Sequence, residues 1–247
     1  MWRFGRKPRL LLHVGTHKTG TTSIQKVLHD HRPYDRERGL FYPVPPRALI
    51  PSSHPHHDLA HCLAGDRPEE RARAAIFRSY VRKAAHPLDR IVISSEPLYR
   101  HVLGMDWTSA SWPDPSAYWP AREAYLKRLR RWLSPFDVSV LIFVREKRAF
   151  ASSLAAEMAR KQTLSVSAEE LMTVHSPQLF DYERQITLLS RYVGPVSVVD
   201  YDDSVARGGS VVAFYAALGL EPPPGSADVR VRVTNELDAP VAADTQI

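Results

Sequence analysis

The strongest constraint on this chain is an apolar run that stops at a loop bracketed by two glycines. Leu10, Leu11, Leu12 and Val14 lead into Gly15, Gly20 closes the loop, and Thr21-Thr22 open a segment with Ile24, Val27 and Leu28 at helical spacing. Strand, tight loop and helix in that order point to an α/β architecture. The first N–H groups of such a helix have no intrahelical partner and lie at the positive end of its dipole, so they accept a phosphate or sulfate. Lys18 adds a cation inside the loop, and the glycines let the backbone approach closely.

A second run, Val138, Val140, Leu141, Ile142, Phe143 and Val144, reads as a central parallel strand buried on both faces. It ends in Arg145, and a helical pattern follows with Ser153 eight residues beyond the arginine. A guanidinium fork matches phosphate geometry bidentately, and a hydroxyl adds one donor.

Gly15 and Gly20 have the separation of the nucleotide-binding loop G-x-x-x-x-G-K-[ST], but Thr21 stands where its lysine belongs, and the cation has moved to Lys18. In that form H-K-T-G-T-T-S-I-Q resembles the 5′-phosphosulfate loop of sulfotransferases that use 3′-phosphoadenosine 5′-phosphosulfate, the bacterial carbohydrate-type members above all. The likeness runs from about residue 9 to 220 and includes the Y-D-D segment at 201–203 with the later F-Y-A-A-L-G-L. It implies that Thr16, His17, Lys18, Thr19, Gly20, Thr21 and Thr22 bind the 5′ end of the donor, and that Arg145 and Ser153 bind its 3′-phosphate. Ser23 occupies the place where cytosolic members carry a tryptophan against adenine, and a late R-K-G triplet is missing. Both departures favour a carbohydrate acceptor, or a hydroxyl on a glycosylated natural product, over the steroid and phenol branch. The rivals are a P-loop kinase or NTPase, against which the displaced lysine argues, and a non-catalytic nucleotide-binding module.

A hydroxyl acceptor needs a base. Glu96, at the end of the apolar stretch I-V-I-S-S-E, is the first candidate, and His57 is the alternative; His17 could touch the sulfuryl oxygens from within the loop. The cluster S-H-P-H-H-D-L-A-H places His57 and His61 four apart on a helix face, but it lacks a zincin glutamate and a third ligand, so no metal is expected.

With 247 residues, 44% of them hydrophobic, the whole chain is expected to form one sulfotransferase-like domain. The net charge of +6 favours anionic ligands, yet no zinc-finger spacing, lysine-rich tail or aromatic-interleaved basic strand suggests nucleic acid. The arginines of residues 122–132 read as the wet face of a helix whose apolar side is Ala124, Leu126, Leu129 and Trp132. A lone cysteine, Cys62, and the absence of an apolar stretch long enough for a signal peptide or a membrane span fit a cytoplasmic protein.

Alternating strands and helices predict a P-loop-like, doubly wound parallel sheet flanked by helices. Residues 33–56, with six prolines, read as a loop over the sheet able to border an acceptor cleft, and residues 103–120, with Trp107, Trp112, Tyr118 and Trp119, read as an irregular segment that either lines such a cleft or forms a satellite apolar cluster. Residues 89–96 read as a core strand and 195–199 as a later one; S-A-E-E-L is a capping box, and Val211–Leu220 is a helix closed at Gly219.

Overall fold

The computed structural model describes residues 7–16, 18–86, 89–104, 115–160 and 165–226. Among them, β1 (Arg9–Gly15), β2 (Leu40–Phe41), β3 (Arg90–Ser94), β4 (Asp137–Val144) and β5 (Val196–Asp200) form one sheet in the order β2-β3-β1-β4-β5, every neighbouring pair parallel. The helices are α1 (Thr21–Asp30), α2 (Arg32–Glu37), α3 (Pro55–Ala64), α4 (Pro68–Ala84), α5 (Pro97–Arg100), α6 (Pro115–Leu133), α7 (Lys147–Arg160), α8 (Ala168–Glu170), α9 (Tyr182–Tyr192), α10 (Tyr201–Ala206) and α11 (Ser210–Ala217). A π turn at Leu171–His175 and a 3-10 turn at Pro177–Leu179 join α8 to α9.

The central strands are apolar on both faces because both faces are covered. Leu10, Leu12 and Val14 of β1, with Val140 and Ile142 of β4, join Leu59, Phe77, Leu129 and Leu189 from α3, α4, α6 and α9. Their alternates Leu11, Leu141 and Phe143 meet Ile24 and Leu28 of α1 and Phe214 and Tyr215 of α11. Side chains alternate along a strand, so one hydrophobic run supplies two cores. The chain builds β2 and β3 on one side of β1 and β4 and β5 on the other, and that reversal opens a crevice beyond the carboxyl ends of β1, β3 and β4.

Several expectations need correction. Residues 33–56 are not all loop, since they contain most of α2 and all of β2. Pro33 sits in the first turn of α2, where its missing N–H costs nothing, and β2 is only two residues long, pairing Leu40 with Arg90 and Phe41 with Ile91. Such short elements leave no periodicity to read. In residues 103–120, α6 begins at Pro115, so Tyr118 and Trp119 are helical; Trp107 and Trp112 lie outside the described residues. Arg122 does not belong to the wet face. It is fully buried, with Nε donating to Gln185 Oε1 at 3.0 Å and Nη1 to the His101 carbonyl at 2.7 Å. Strand β3 stops at Ser94, which leaves Glu96 two residues beyond it as the N-cap of α5.

The end signals at Ser167 and Gly219 match the structure. Ser167 caps α8 while Glu170 reaches back to its N–H, and Gly219 has φ 66° just past α11.

Candidate active site

The loop after β1 is shaped by its glycines. A Cβ at Gly15 would run into the Thr21 and Thr19 hydroxyls, and one at Gly20 would run into Ser210, with Gly20 also at φ 76°. The Thr16 N–H donates to the Phe143 carbonyl at 3.1 Å, which fastens the loop to β4, and the Thr19 hydroxyl donates to the Thr16 carbonyl at 2.7 Å. Thr16, Thr19 and Thr21 are buried, Gly20 is half-buried and Thr22 is exposed, so the loop's own buried threonines help set its shape. No side chain caps α1 and no acid lies in its first turn, which keeps the helix start suited to an anion. His17 lies outside the described residues.

Lys18 is the one non-glycine residue with positive φ among the described residues, at 64°. A left-handed lysine is strained by a kcal/mol or more, of the order of 1–3, and such strain persists where the surroundings fix it. The Lys18 side chain is held by Glu157, whose Oε2 lies 2.7 Å from the ammonium. Glu157 is on α7, one turn beyond the half-buried Ser153, and the two share a helix face. The ion pair therefore ties the first motif to the helix carrying the second. Sequence reading passed over Glu157, although its position four residues after Ser153 was the sign that it faces the same way.

Arg145 follows β4 directly, beside the end of β1, because Gly15 pairs in register with Phe143. Its carbonyl accepts the Tyr182 hydroxyl at 2.8 Å, its Nε is 3.8 Å from Asp202 Oδ1, and its guanidinium carbon lies 5.4 Å from the centre of the Tyr201 ring. Arg145 Nε has no hydrogen bond, so part of the fork is uncommitted.

On the β3 side, Gln25 Nε2 donates to the Ser94 carbonyl at 2.9 Å and to His57 Nε2 at 3.2 Å. That donation assigns the His57 proton to Nδ1. Burial lowers His57 to about 4 and nearby Glu96 opposes the shift, so the ring is neutral at pH 7. Arg100 is also lowered by burial, with the nearby Glu96 and then Glu157 opposing, so the carboxylate that pairs with Lys18 also acts on Arg100. His56 and His61 of the same cluster have structural partners. His56 donates from Nε2 to the Pro43 carbonyl at 2.8 Å and accepts the Ser94 N–H at 3.2 Å, and His61 Nδ1 is 2.9 Å from His101 Nε2. His57 and His61 thus face different partners. Among the described residues no three His, Cys, Asp or Glu side chains form a group sized for a metal ion, and no helix is long and apolar enough to cross a membrane.

The chain matches no protein-family model and no curated protein. Among solved structures it is similar to a sulfotransferase from Alicyclobacillus acidocaldarius, at 15% identity over 89% of this chain and 83% of that one, with a TM-score of 0.48. It is also similar to the sulfotransferase domain from the curacin biosynthetic pathway, at 13% identity over 90% of this chain and 77% of that one, with a TM-score of 0.41.

Proposed function

We propose that this protein transfers a sulfuryl group from 3′-phosphoadenosine 5′-phosphosulfate to an acceptor hydroxyl, on a carbohydrate or a glycosylated natural product. The observation that carries this reading is the convergence of two anion-binding arrangements on one crevice: the Lys18 loop at the start of α1, and Arg145 with Ser153 after β4, linked by the Lys18–Glu157 ion pair. The site suits the donor, because the tight loop tolerates no Cβ at either glycine, where one would strike Thr21 and Thr19 or Ser210, and the buried Arg145 Nε has no hydrogen-bond partner. The donor supplies the sulfuryl group, and the protein supplies charge and position. Backbone N–H groups at the start of α1 would hold the 5′-phosphate, Lys18 would stabilise charge developing on the bridging oxygen, and Arg145 and Ser153 would read the 3′-phosphate. Glu96 would take the proton of the attacking hydroxyl; His57 would do so only once Gln25 releases the lone pair on its Nε2.

Calorimetry with adenosine 3′,5′-bisphosphate against ATP and magnesium tests the reading. Binding of the bisphosphate in preference to ATP is expected, and the reverse preference overturns it in favour of a kinase or NTPase. Radiolabelled donor with a panel of glycans then separates an active enzyme from a binding module.

A further inference from the structure

A groove of about 310 Å³ runs along α1 from Thr22, at the edge of the anion cradle, past Gln25 and His29. Its opposite wall is made by Tyr42 and the start of α3, with His54 and His57. We infer that this groove is the acceptor subsite and that it takes a single neutral, hydroxyl-bearing ring. The inference rests on the sulfuryl-transfer reading and specifies its substrate.

Three observations carry it. The first is size: small-molecule sites span roughly 300–1,000 Å³, and this groove lies at the bottom of that range, which suits one ring and excludes several. The second is charge. Lys26 and Asp30 are the ionised pair on the groove wall, and they neutralise each other at 2.8 Å. His56 and His57 are kept uncharged by burial. A carboxylate or sulfate on the ligand would lose water and meet no unpaired cation, whereas hydroxyls would meet Gln25, Ser53 and Tyr42. The Tyr42 hydroxyl makes no hydrogen bond among the described residues, so it is free to serve a ligand.

The third is the shape and direction of the walls. His54 stacks on His57 with centroids 5.7 Å apart and planes 18° apart, and Tyr42 packs edge-on against His56 at 4.5 Å, giving rigid ring surfaces on which another ring can lie. His57 lines the groove and feels the Glu96 charge, and Gln25 on the facing wall bonds the Ser94 carbonyl at the end of β3, so a ring seated here lies beside the strand end that precedes Glu96.

Ligand-observed NMR in the presence of adenosine 3′,5′-bisphosphate provides the test. The probes are neutral methyl pyranosides (gluco, galacto, manno and N-acetylglucosamine) and methyl glucuronide. At least one neutral pyranoside should bind, with the glucuronide about tenfold weaker, the scale of one buried group left unpaired. His54→Ala, at an exposed position, and the mild Tyr42→Phe should each weaken the neutral sugar about three- to tenfold while leaving bisphosphate affinity unchanged. Asp30→Asn removes the carboxylate charge that lies 2.8 Å from the Lys26 ammonium and should strengthen glucuronide binding. Equal or tighter glucuronide binding in the wild type, no pyranoside binding, or variants that leave sugar affinity unmoved overturn the inference. If sugars bind and respond to the variants but the bisphosphate does not bind, the groove stands as a sugar site and the sulfuryl-transfer reading fails.

Discussion

Replacing Glu157 with glutamine asks whether that carboxylate acts on the donor site through Lys18. Glutamine keeps the length of the side chain and an oxygen to accept from the ammonium, but removes the charge. The two side chains are 26% and 16% exposed and their charged atoms are 2.7 Å apart, so water screens the pair less than it would at a free surface. That puts it at the upper end of the range for exposed ion pairs, about 1 kcal/mol. A phosphate in the loop must compete with Glu157 for the same ammonium. Glu157→Gln should therefore tighten adenosine 3′,5′-bisphosphate about fivefold, the affinity equivalent of that energy. Simple repulsion between Glu157 and the ligand would have the same sign, so a double-mutant cycle decides. In a Lys18→Ala background the gain from Glu157→Gln should shrink to about twofold or less, because coupled neighbours are not additive. Titration calorimetry on the wild type, both single variants and the double variant reads the cycle directly. Weaker binding in Glu157→Gln, or the same gain in both backgrounds, refutes the reasoning.

Lys18→Ala should lower turnover about 100-fold or more while affecting donor binding less, as loss of one transition-state donor does; single-turnover assays showing near-normal rates would remove Lys18 from the chemistry. Arg145→Ala should cost about 1.5–3 kcal/mol in bisphosphate affinity and spare adenosine 5′-phosphate, and equal losses on both nucleotides would show that it does not read the 3′ group. Glu96→Gln should abolish transfer with bisphosphate binding nearly intact, whereas His57→Ala keeps measurable turnover; the opposite outcome makes His57 the base. Stability should fall on acidification. Burial lowers His13 to about 3 and His56 and His57 to about 4 from 6.5, so the unfolded chain binds more protons and stability drains away as pH falls from about 6.5 towards 4. Asp35, raised to about 6 by burial, acts in the other direction, its stabilisation being present at low pH and lost as pH rises through about 6, but one carboxylate is outweighed by three histidines. A melting temperature that stays flat or rises between pH 6.5 and 4.5 would contradict this.

What the sequence determined by itself is local and periodic. The unbroken apolar runs at Leu10–Val14 and Val138–Val144 specify central parallel strands, because only a sheet covered on both faces buries every residue of such a run. The glycines at 15 and 20, Lys18 between them and Arg145 at a strand end were equally legible, since each owes its place to the backbone next to it. Tertiary structure decided whatever depends on distant neighbours. Strand β2 exists because β3 offers it hydrogen bonds across a separation of some fifty residues. Arg122 sits on a helix that looks amphipathic, yet Gln185, 63 residues away, and the His101 carbonyl draw its guanidinium inside. The Lys18–Glu157 pair and the Gln25–His57 contact belong to the same class, as does the groove between α1 and α3. Patterning reports which face of an element is buried, but a partner across the fold is fixed only when packing brings two faces together.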